Sequence, residues 1–152
     1  MTEQNVDPGT LDYTRTFDAP RELVFRCMTT PEHLTHFWGP TGVVTPLEEI
    51  EVDLRPGGVF TTVMVNESDG SRYTMRAVFV EIHEPERLVW TDPDSGMTTT
   101  STFRAIDGSH TEVHINQTNV PEPFRGAEAQ TGFKSSLDRF ATYLSALTAH
   151  AD

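Results

Sequence analysis

The chain has one cysteine in 152 residues, Cys27, so it can form no internal disulfide and no thiolate zinc cluster. That scarcity points to a reducing compartment. Positive charge is also thin: 11 Lys and Arg against 23 Asp and Glu leave a formal net charge of −12. Nucleic-acid phosphates and anionic membrane surfaces would both be repelled, so neither is an expected partner. No stretch approaches the roughly 18 consecutive apolar residues that a membrane span needs. Residues 1–9 are polar, with no basic start and no apolar core of a signal peptide, and they read as a tail ahead of a single domain. The expected location is the cytoplasm, where the N-x-S/T triplets at Asn66 and Asn116 are chance matches.

Catalytic signatures are missing too. There is no G-x-S-x-G, no paired catalytic carboxylates and no dinucleotide fingerprint, and Gly57-Gly58 has neither the spacing nor the lysine of a phosphate loop. His33 and His36 are three apart on an expected helix, a spacing that can set two imidazoles on one ion, but no third ligand is near in sequence. Asp92, Asp94 and Gly96 form too short a string for a calcium loop and read as a turn. Neither a metal nor a cofactor is expected. Cys27 falls on the apolar side of a helix and reads as an inert core thiol.

What is present is a globular core of 36% aliphatic and aromatic residues, enough for one domain of this length. The most informative stretch is the last. Phe133, Leu137, Phe140, Leu144 and Leu147 are spaced as one stripe of an amphipathic helix, predicted over 124–149. Pro121 and Pro123 stop whatever precedes it. Lys134, Asp138 and Arg139 lie off the stripe and are expected to face water. Continued backwards, the stripe meets Gly132, Gln130, Ala129 and Gly126, so a bulky face becomes small and polar. Such a helix packs tightly at one end and stands off at the other, and interiors otherwise fill to crystal-like density, so the stand-off implies room for a non-protein molecule.

Upstream, 11–17 alternates as a strand. Asp18 and Pro20 introduce a short helix over 21–29, with Asp18 as expected cap, and Thr30-Pro31 opens a second that carries Leu34, Phe37 and Trp38 before Gly39, Pro40 and Gly42 end it. The period then becomes two, over 43–54, 59–65, 73–82, 87–91, 97–105 and 111–120, with Gly-, Pro- and Asp-rich turns between. Short connections make these antiparallel neighbours. The class is α+β: a curved seven-stranded antiparallel sheet wrapped around a long C-terminal helix, with two short helices between strands 1 and 2.

Several motifs in order carry a family resemblance: Arg15-Thr16-Phe17-Asp18-Ala19-Pro20 with Val24-Phe25, Pro31-Glu32-His33-Leu34, Phe37-Trp38-Gly39-Pro40, Arg55-Pro56-Gly57-Gly58, and Pro85-Glu86-Arg87-Leu88-Val89-Trp90. They resemble the Hsp90-ATPase-activator-homologue branch of the START-like, or SRPBCC, superfamily over nearly the whole chain. The resemblance implies the helix-grip fold, in which the sheet grips the last helix and encloses a deep, largely apolar cavity. Two positions depart from it. Ala77 stands where many relatives have Gly and Phe133 where many have Trp, and both alter cavity lining.

Residues expected to line that cavity are Phe37, Trp38, Phe60, Met64, Met75, Phe79, Trp90, Gln117, Ala129 and Phe133. Trp38 reads equally as a lid at the mouth or as a core anchor. The run 98–102 is all Thr and Ser, and whichever phase faces inward gives hydroxyls to the wall. Arg76, Gln117 and Gln130 are polar groups that a ligand could satisfy if buried, and Arg76 reads better as solvated. Three functions follow: a non-catalytic carrier or sensor of a small apolar molecule such as a lipid, a polyketide or an aromatic metabolite; a cofactor-independent cyclase or hydrolase whose cavity shape does the work; or a partner of an Hsp90-type chaperone. The last is weakened because the eukaryotic co-chaperone also uses an N-terminal domain absent here. Monomer and homodimer are both open.

Overall fold

The computed structural model describes residues 9–149; segment 1–8, which holds most of the expected tail, and the last three residues lie outside the described residues. The sheet grows outward from β8 (His110–Thr118), which pairs on one side with β1 (Leu11–Phe17) and on the other with β7 (Thr98–Asp107). It continues through β6 (Arg87–Thr91), β5 (Arg72–His83) and β4 (Val59–Asn66) to β2 (Val43–Val44), all antiparallel, with β3 (Glu51–Val52) also paired to β4. Between β1 and β2 lie α1 (Arg21–Cys27) and α2 (Pro31–Leu34), and α3 (Ala127–Ala149) closes the order. No helix among the described residues is long and apolar enough to cross a membrane.

The α+β architecture matches the expectation, with one strand broken. The span 43–54 is split into β2 and β3 by a single 3-10 turn at Leu47–Glu49. Pro46 precedes that turn in extended geometry, and a proline has no amide to donate to a ladder. Among the described residues the sheet therefore has eight strands. The helix predicted over 124–149 starts at Ala127, after a separate 3-10 turn at Glu122–Phe124. Asp18 does not cap α1, whose N-cap is Pro20; the Thr30 hydroxyl bonds back to the Arg26 carbonyl instead of capping α2.

Burial shows which phase of each strand is concave. Thr99, Ser101 and Phe103 of β7 and Thr111, Val113, Ile115 and Gln117 of β8 are buried while their neighbours are more exposed. Register shifts at Phe79/Glu81 and Ala105/Asp107 bend the sheet, as an extra residue in one strand does. Gly58 shows how tightly the β3–β4 turn is folded: a Cβ there would lie 2.0 Å from the Asp53 carbonyl oxygen. α1 plugs one end, with Phe25 edge-on to Phe103 at 5.3 Å and the Thr111 hydroxyl donating to the Ala19 carbonyl.

Candidate functional site

Two halves of α3 meet the concave face differently. In the second half Leu137, Phe140 and Leu144 are buried, and Phe140 lies between the rings of Phe37 at 4.2 Å and Phe17 at 4.8 Å. In the first half Ala129, Gly132 and Ser136 border a cavity of about 640 Å³ between helix and sheet. Phe133 sits at the junction, its ring 4.4 Å from that of Tyr13. The loop 39–43 borders the cavity opposite the sheet, and α3 holds it. Arg139 donates to the carbonyls of Gly39, Pro40 and Val43, and the Ser135 hydroxyl accepts from the Thr41 amide. Arg139 thus does not simply face water, and partial burial lowers its pKa, though Glu67 opposes the shift. Asp138 does face water, and it pairs there with Arg15 of the edge strand.

Eight of the ten expected lining residues border this cavity: Phe37, Trp38, Met64, Met75, Trp90, Gln117, Ala129 and Phe133. Phe60 and Phe79 do not. They stack on each other at 5.4 Å, and Phe60 also meets Trp90 edge-on at 5.0 Å, so both support the wall from behind. Strand alternation places a side chain on a face but cannot say how far along that face the helix reaches. Trp38 is fixed within the wall: its indole N–H donates to the Thr62 hydroxyl at 3.1 Å, and its carbonyl accepts from Thr45. Arg76 is exposed, and Gln130 is spent on the Arg125 carbonyl.

The sequence reading missed Tyr13, which reaches the cavity from β1 and whose phenol pKa is raised by burial. Its strand was identified, but the pairing of β1 with β8 that brings it here is non-local. The phase of the Thr/Ser run is now settled, with Thr99 and Ser101 inward. Among the described residues, the charged side chains that border the cavity are Arg72, Asp92 and Glu128. Arg72 is exposed and paired with Glu49, Glu128 is exposed, and Asp92 accepts from the Asp94 amide of its own turn.

Elsewhere, the described residues include no group of three or more His, Cys, Asp or Glu placed to hold a metal. His33 and His36 both engage Tyr143, the first by a hydrogen bond from or to Nδ1 and the second by ring stacking at 5.2 Å. Cys27 is buried, and desolvation pushes its thiol up to about 12 despite the neighbouring Arg26 charge.

With this geometry, the sequence profile of the family described as Activator of Hsp90 ATPase homolog 1-like protein matches residues 18–145. The chain belongs to this family. A solved protein from Chromobacterium violaceum is 26% identical, with a TM-score of 0.80 over 88% of this chain and 95% of that one. One from Nitrosomonas europaea is 24% identical, with a TM-score of 0.81 over 95% of this chain and 100% of that one. An AHSA1-like protein from Aeromonas hydrophila shares 20% identity and a TM-score of 0.77 over 93% and 97%. The latter two, at their level of identity, show the shared fold alone. No curated protein matches the chain.

Proposed function

We propose that this family member binds a small, predominantly apolar molecule between the sheet and the first half of α3, as a non-catalytic carrier or sensor. The supporting observation is the cavity itself. At about 640 Å³ it falls in the size range of small-molecule sites, and its wall includes Phe37, Trp38, Met64, Met75, Trp90 and Phe133. Methionine and aromatic side chains together make an adaptable apolar lining. A chaperone-coupled role would rest on the family's description alone, whereas this reading rests on the chain's own geometry.

The test is saturable binding of a neutral apolar fluorophore, N-phenyl-1-naphthylamine, read by its emission and by native mass spectrometry. One bound molecule per chain is expected. A probe that fails to saturate, or that binds equally to a variant with the cavity filled by Ala129→Leu, sinks the proposal. Conversion of a bound candidate into a product of different mass would replace carriage with catalysis.

A further inference from the structure

The cavity wall is not uniformly apolar. Where β1, β8, β7 and β6 run side by side, two inward-facing rows read Leu11–Gln117–Thr99–Trp90 and Tyr13–Ile115–Ser101–Leu88. Gln117 and Thr99 are directly opposed. Ser101 and Tyr13 flank Ile115 in the next row. These four polar side chains are therefore contiguous, and all four border the cavity.

None has a hydrogen-bond partner for its side chain among the described residues. Yet each is more than nine-tenths buried: Gln117 is 8% exposed, Tyr13 7%, Thr99 4% and Ser101 0%. Buried polar groups are almost always paired, because an unpaired donor or acceptor loses its hydration for nothing. Gln117, Tyr13 and Thr99 border the cavity and keep a little exposed surface, whereas the Ser101 hydroxyl is fully covered. Purely structural polar residues in this same sheet look different. Thr62 and Thr111 are as buried, and each is bonded, Thr62 to Trp38 and Thr111 to Ala19.

Neither row contains a charged residue. A carboxylate or phosphate brought here would be desolvated with no cation to meet it, which is strongly unfavourable. A carbonyl or hydroxyl would instead find two amide donors on Gln117 and hydroxyls on Thr99 and Tyr13.

We infer that the molecule held in this cavity, on the reading proposed above, carries one uncharged hydrogen-bonding group, a ketone, alcohol or phenol, seated against Gln117, Thr99 and Tyr13. The rest of the molecule is apolar and lies along the aromatic and methionine wall. The class is a neutral amphipathic metabolite, not a fatty acid or a lipid phosphate.

The experiment displaces N-phenyl-1-naphthylamine with dodecane, 2-dodecanone, dodecanol and dodecanoate, with the affinities of the three neutral compounds divided by their water-to-heptane partition. Heptane offers no hydrogen bond, so the surplus isolates the polar contact. The ketone and the alcohol are expected to exceed dodecane by about tenfold or more on this scale, the weight of one well-made buried hydrogen bond. Thr99→Val and Gln117→Leu, which nearly preserve side-chain shape, should each erase most of that surplus; thermal melts verify that both variants fold. Equal surplus for dodecane and 2-dodecanone, tighter binding of dodecanoate than of the ketone, failure of all four to displace a bound probe, or a surplus untouched in both variants overturns the inference while the cavity reading stands. Failure of the probe to bind at all removes the cavity reading and this inference with it.

Discussion

The two halves of α3 share one helical geometry and face one sheet, yet one is a core element and the other the wall of a cavity. The difference begins with side-chain volume. Leu137, Phe140 and Leu144 present bulk where the sheet presents Phe17 and α2 leads into Phe37, and all of these are buried. Ala129, Gly132 and Ser136 present little, and the opposing strands do not bulge inward to meet them. A helix is too stiff to bend into the gap, and a sheet already curved by its bulges cannot flatten locally. Packing in the second half therefore holds open the space beside the first.

Four substitutions break or sharpen this contrast. The largest effect belongs to the packed half: Phe140→Ala should cost roughly 3 to 5 kcal/mol in urea denaturation, the usual range for truncating a fully buried aromatic. A loss below about 1 kcal/mol would mean that the ring cluster with Phe17 and Phe37 does little to hold the helix. In the open half, Ala129→Leu should leave the unliganded melt nearly unchanged, whereas the same enlargement in a filled core costs about 1 to 3 kcal/mol. With N-phenyl-1-naphthylamine at a hundred times its dissociation constant, the wild type gains about 2.7 kcal/mol by mass action, and the variant should lose most of that gain. A destabilised unliganded variant would show that the first half is packed after all.

Thr62→Val tests the wall opposite. It leaves the Trp38 indole N–H without its acceptor and should cost about 1 to 3 kcal/mol, the penalty for an orphaned buried donor. A shift in tryptophan emission should accompany it, and an unchanged spectrum and stability would return Trp38 to the role of a mobile lid. The smallest effect is a gain. Gly132→Ala places its Cβ 3.6 Å from that of Pro40, an ordinary contact, and should stabilise the helix by about 0.5 to 1 kcal/mol. A clear loss in the melt would mean that the loop 39–43 presses on the helix more closely than its contacts with Arg139 and Ser135 imply.

Much of the cavity was legible before the fold. The switch from Phe and Leu to Gly and Ala along one helical stripe locates the stand-off, because helical spacing is local and fixed. Strand alternation similarly put Met64, Met75 and Trp90 on candidate faces. Phe60 and Phe79 were misplaced because alternation assigns a face but not a depth, and these two rings stack on each other beyond the reach of the cavity. Arg139 was read as solvated because its partners, the carbonyls of 39–43, lie about a hundred positions away in the chain. The break at Pro46 has a local cause, a missing amide donor, yet the alternation on either side of it reads as one strand over 43–54.

The sequence alone therefore determined the order and kind of the elements except for the break at Pro46 and the turn before α3, the packed and open halves of α3, and the family to which the chain belongs, since each depends on neighbours within a few residues or on motifs read in order. The tertiary structure decided which phase of each strand is concave, how Tyr13 of the first strand comes to lie across Ile115 from Ser101 and next to the row of Gln117, and that no side chain of the described residues satisfies these polar groups. The β1–β8 pairing joins residues about a hundred positions apart, and a local periodicity carries no information about which distant strand will lie alongside.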